Sequence, residues 1–115
     1  MSYALVRLAP DAAAPILTAG DFVSISRTRR ELTIVCEQRV APKGAEVQNG
    51  FRCIEIIGEY GLDAVGVVAS ATAPLAAAGI SVFVFSVWST DFLLVAHQDI
   101  ARALDMLRAA GHAID

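Results

Sequence analysis

The residues best suited to chemistry in this chain lie in two short stretches, Trp88-Ser89-Thr90-Asp91-Phe92 and Asp63-Ala64-Val65-Gly66-Val67. In the first, a carboxylate, two hydroxyls and an indole stand between apolar runs. In the second, an acidic residue opens a run of helical composition, so the first-turn N–H groups have no partner further back and carry the positive end of the helix dipole. Such N–H groups suit a carboxylate, and Gly66 lets a ligand approach the backbone closely. Asp91 suits an ammonium, with Ser89 and Thr90 adding hydroxyls. Together the two stretches hold the parts needed for a zwitterion such as an amino acid. The same residues also fit with nothing bound: Asp63 then caps its own helix and Asp91 closes its own turn. Trp88 fits either a core edge or the wall of a small-molecule pocket.

No catalytic signature accompanies these stretches, because the chain lacks a glycine-rich phosphate loop, a nucleophile elbow, a paired-histidine metal motif and clustered cysteines. Neither metal nor cofactor is expected. Glu31, Glu55, Glu59, Asp63 and Asp91 form no spacing that demands acid and base work, so the chain does not read as an enzyme. His97 and His112 fall at element ends and read as solvated or capping residues. Arg27, Arg29 and Arg30 form a basic cluster at a hairpin tip, which reads as a solvated turn. A net charge of -3 argues against nucleic acid, since neutralising phosphates needs a basic face.

Residues 64–90 carry no charge, long enough to span a bilayer. Pro74 and Gly79 interrupt that stretch, and its second part has the β-branched and aromatic residues of a strand. A buried helix followed by a buried strand is therefore expected, not a membrane span. Cys36 and Cys53 sit inside strand-like runs with no secretory pattern ahead of them, which reads as buried thiols in a reducing cytoplasm.

The elements that must position the two stretches follow from periodicity and turn residues. Residues 3–8 predict a first strand, 10–20 a connection with one helical turn, and 22–26 with 31–36 a hairpin. A loop runs to Gly50 with a helical turn near Arg39. Residues 51–57 predict a strand, 64–78 a helix capped by Asp63 and Gly79, and 80–87 with 92–96 a second hairpin. An amphipathic helix over 99–110 ends at Gly111, with a short strand at 112–115. From residue 51 the order is the split βαβ, or ferredoxin-like, α+β arrangement, an antiparallel sheet with helices on one face. Before it the order is strand, connection, strand, strand, like the same unit with its helices pared away. Ser26 and Glu31 are spaced like Ser86 and Asp91, which suggests a tandem repeat. One layer of helices covers only one face of residues 80–87, which are apolar on both, so a homo-oligomer is expected, most simply a homodimer.

At these residues the chain resembles small bacterial ACT-domain proteins related to the ACT units of CASTOR-type arginine sensors. The first half carries Ser24-Ile25-Ser26-Arg27-Thr28-Arg29-Arg30-Glu31-Leu32-Thr33-Ile34-Val35-Cys36. The second carries Gly66-Val67-Val68-Ala69, Pro74-Leu75-Ala76 and Ala78-Gly79-Ile80-Ser81-Val82-Phe83, then the turn Ser86-Val87-Trp88-Ser89-Thr90-Asp91-Phe92. The resemblance implies a degenerate ACT-like half over residues 1–50 and an ACT domain over 51–115, sharing one core. It implies amino-acid sites at unit interfaces, with Val65, Gly66 and Val67 at the helix start and Thr90, Asp91 and Phe92 in the signature turn. Val87, Trp88 and Phe92 stand where the family pattern has Thr, Tyr and Tyr, so the ligand need not be that of the sensors. The expected function is a non-catalytic regulatory module binding an amino acid or similar small zwitterion. The alternative is a ligand-free ACT-like module that oligomerises or docks on another protein.

Overall fold

Alternating Val, Ile, Leu and Phe set between turn residues build most of the chain into antiparallel strands, and two alanine-rich runs form helices. The structure is a computed structural model that describes residues 1–44, 46–57 and 65–114. It is a mixed α+β fold with antiparallel pairing, and it divides into two units, Met1–Phe51 and Arg52–Asp115.

In the first unit, β1 (Tyr3–Leu8) pairs with β3 (Leu32–Glu37), which pairs with β2 (Ser24–Arg27), all antiparallel. The other side of β1 pairs with the start of β4 (Glu46–Ile57), giving the order β2-β3-β1-β4. The loop expected before residue 51 is thus partly strand, because Val47 and Gln48 pair with Val6 and Leu5. The register shifts between Tyr3 and Leu5, and the bulge contains Gly50 at φ 85°, a conformation that a side chain disfavours. The pleat sends Ala4 and Val6 inward with Leu32, Ile34 and Cys36, and Leu8, Ala12, Leu17, Val40 and Val47 pack around them. The expected helical turn near Arg39 is a 3-10 turn, Gln38–Val40. Of the arginines at the hairpin tip, Arg27 is not simply solvated: its guanidinium donates to the carbonyls of Pro10 and, at 2.8 Å, Ala12, holding the connection against β2.

The second unit runs from the rest of β4 through α1 (Val67–Ala77), β5 (Phe83–Ser86), β6 (Asp91–Ala96), a 3-10 turn at His97–Asp99 and α2 (Ile100–Ala109) to β7 (Ala113–Ile114). Its strand order is β7-β4-β6-β5. Leu75, Ala71, Ala103 and Leu107 from the helices bury against Ile54, Ile56, Leu93 and Val95 from the strands. Each helix ends the same way: the glycine after the cap takes positive φ, Gly79 at 73° and Gly111 at 91°, and two backbone bonds close the last turn. The second of these runs from Ile80 N–H to Leu75 C=O and from His112 N–H to Leu107 C=O. Ile80 therefore belongs to the helix closure, and the strand expected over 80–87 is shortened to four residues.

Proline at 74 removes the N–H that would bond the Ser70 carbonyl one turn back. That carbonyl is taken up instead by the His112 ring Nε2 at 2.9 Å. Since a carbonyl only accepts, Nε2 carries the proton, and His112 satisfies the gap left by Pro74.

The two hairpins match in register by an offset of 59 residues: Thr28 N–H donates to Glu31 C=O as Val87 N–H donates to Thr90 C=O, each at 2.9 Å. Gln38–Val40 likewise corresponds to His97–Asp99. By this offset Arg27 corresponds to Ser86 and Glu31 to Thr90, one position from the spacing read in the sequence. The shift follows from the turn: Ser86 pairs with Asp91 as Arg27 pairs with Leu32.

Candidate functional site

Helix α1 begins at Val67, three residues later than its sequence suggests, with Gly66 in the cap position at φ 81° and no side-chain cap among the described residues. Asp63, expected as that cap, lies outside the described residues, as does Ala64. The left-handed φ explains the glycine here better than ligand approach alone does, since other residues adopt it at a cost. The first-turn N–H groups face away from the helix body, and the Gly66 carbonyl accepts from Ser70 N–H at 2.9 Å. Val65 ahead of them is 96% exposed.

The turn is held by three contacts. Val87 N–H donates to Thr90 C=O at 2.9 Å, leaving Trp88 and Ser89 at the tip. The Thr90 hydroxyl donates to the Ile56 carbonyl, tying the turn to the end of β4, from which the chain leads toward the helix start. The Ser86 hydroxyl donates to Asp91 Oδ1 at 2.5 Å across the base of the hairpin. Asp91 is half-buried and its other oxygen retains acceptor capacity. Phe92 is half-buried opposite Phe85. Trp88 is 80% exposed, so the indole is not a core edge.

Each predicted group is thus anchored, the helix start by Gly66 and the turn by Thr90 and Asp91. The hydroxyl of Thr90 is spent on the fold, and that of Ser89 stands exposed. Ile57, Val65, Val68, Val87 and Trp88 add exposed apolar surface at the end of β4, the helix start and the turn. Among the described residues, no group of three or more His, Cys, Asp or Glu is placed to hold a metal ion, and neither cysteine is in a disulfide.

Among the described residues, Arg7, Glu31, Thr33, Glu46 and Gln48 of the first unit line a cavity of about 270 Å³. The sequence reading did not single out this group. Its members come from β1, β3, β4 and the turn before β3, and only the register brings them together. The available signal was slight: Arg7 is the one charged residue of β1, and Thr33 stands between Leu32 and Ile34 in β3.

Residues 1–44 match a family described as an N-terminal domain, and residues 46–109 match the ACT domain. No curated protein is similar enough in sequence to match the chain. Among solved structures, protein Atu0741 of Agobacterium tumefaciens is 39% identical, with 97% of this chain and 84% of that one covered at a TM-score of 0.87. VC0802 of Vibrio cholerae, titled a protein of unknown function and possible transport protein, is 24% identical at a TM-score of 0.75, with 95% and 83% covered. The aspartate kinase of Clostridium acetobutylicum, titled an allosteric enzyme, shares the fold at 9% identity and a TM-score of 0.71. This chain covers 32% of the kinase, with 94% of its own length aligned. No helix of the described residues is long and apolar enough to cross a membrane. With residues 46–109 spanning more than half of its length, the chain belongs to the ACT-domain family.

Proposed function

We propose that the protein is a non-catalytic regulatory module of the cytoplasm that binds an amino acid or similar small zwitterion. The reading takes the second unit as a ferredoxin-like ACT domain and the first as its degenerate repeat, in the manner of the CASTOR-type sensors. The strand orders β7-β4-β6-β5 and β2-β3-β1-β4, with hairpins offset by 59 residues, support that pairing. The observation that carries the binding reading is the start of α1: a left-handed glycine supplies the cap, and among the described residues no side-chain cap takes the first-turn N–H groups. These N–H groups receive the ligand carboxylate, and Asp91, oriented by Ser86, receives the ammonium. Phe92 and Trp88 supply apolar walls. A second copy of the chain completes the site and covers the open face of β5, where Phe83 is 44% exposed.

Thermal-shift measurements with individual L-amino acids test this. A ligand at a hundredfold excess over its Kd adds about 2.7 kcal/mol of stability, which raises Tm visibly for one chemical class. Asp91→Ala should abolish that shift while leaving the unliganded melt within about 1 kcal/mol of wild type. Silence across the whole set would favour the second reading, a ligand-free interaction module. The exposure of Trp88 and Val65 favours that alternative.

A further inference from the structure

On the face of the first unit's sheet opposite its core, Arg7 of β1 stands directly across from Thr33 on one side and Glu46 on the other. One pleat along, Leu5 stands across from Gln48. These residues and Glu31 line the cavity of about 270 Å³. It adjoins a second hollow of about 520 Å³ that shares Arg7, Glu31 and Glu46 and adds Arg30. We infer that this cleft is a second binding site, separate from the helix start and turn, for a small zwitterion that places its ammonium on Glu31 and its carboxylate on Arg7.

The charges are arranged for such a ligand and not for a simple anion. Arg7 Nη2 is held by Glu46 Oε2 at 2.6 Å, which fixes the guanidinium and leaves its other N–H donors for a carboxylate. Glu31 Oε2 accepts from the Thr33 hydroxyl at 3.0 Å, a neutral contact that orients the carboxylate without cancelling its charge. Arg7, Glu31 and Glu46 together leave one negative charge in the cleft, which favours an ammonium and disfavours a bare carboxylate. Leu5, half-buried, gives an apolar floor, and the Gln48 amide adds a donor and an acceptor. The volume lies just below the usual range of ligand sites, about 300–1,000 Å³, which suits a ligand as small as one amino acid.

The experiment is calorimetric titration of the full chain with individual L-amino acids, then with the N-acetyl and C-amide derivatives of whichever binds. Backbone amide shifts are followed by NMR. Binding at this cleft moves the amides of Thr33 and Gln48. Glu31→Gln and Arg7→Ala each weaken it by about tenfold to a hundredfold, and both derivatives bind worse. Arg102→Ala, a surface change on α2, leaves it unaltered. Affinity unchanged in both cleft variants, with Thr33 and Gln48 unshifted, would overturn the second site while leaving the Asp91 reading intact. An absence of zwitterion binding by the wild-type chain would overturn both.

Discussion

At the scale of single residues, burial decides what a side chain can do. Cys36 is fully buried in the first core with Ala4, Val6, Leu32 and Ile34, and that desolvation, with the Glu37 charge beside it, raises its thiol pKa above the ordinary 9.0. The unfolded chain therefore loses the proton first as pH rises. The neutral buried thiol contributes stability that is fully present below about pH 9 and is lost above it. Urea midpoints measured upward from neutral pH should stay level and then fall, and Cys36→Val should flatten the fall. Glu37 carries the opposite tension: it is 1% exposed, Arg39 reaches one oxygen at 3.1 Å, and Oε1 has no partner among the described residues. Gly20 lies against it at φ 89°, where a Cβ would come within 2.8 Å of Glu37 Cγ. The sequence marked Cys36 as a buried thiol from its apolar neighbours. It gave no sign of Glu37 and Gly20, which are far apart in the chain.

At the scale of elements, Pro74 and His112 form one unit of argument. The proline leaves the Ser70 carbonyl without its helical partner, and His112, placed by the glycine closure of α2, supplies the missing donor. His112→Ala should cost about 0.5–1.5 kcal/mol in chemical denaturation. In a Pro74→Ala background, where the backbone N–H returns, the same change should cost less, and the difference between the two measures the coupling. Equal costs in both backgrounds would show that His112 acts on something else. Helix existence was legible from alanine content and the Gly79 cap despite Pro74, but its start was not. The cap is set by the φ of Gly66, which propensity alone does not distinguish from Ala64 or Asp63.

At the scale of the whole molecule, the proposed second copy covers apolar surface of β5, where Phe83 is 44% exposed, since an antiparallel sheet leaves one face in water most readily when that face is polar. Light scattering at micromolar concentration should give twice the 12.1 kDa chain mass, and a monomer would remove the second copy from the proposed site. The sequence by itself determined both hairpins and most of the strands, though neither the start of β4 nor the length of β5, together with the amphipathic last helix and the polar residues Thr90 and Asp91, because periodicity and turn chemistry act over a few neighbouring residues. Tertiary structure alone decided that Thr90 spends its hydroxyl on Ile56, that Trp88 faces solvent, and that Arg7, Glu31, Thr33 and Glu46 share a cleft. Those facts depend on strand register and sheet order, which join residues dozens of positions apart and leave no local pattern to read.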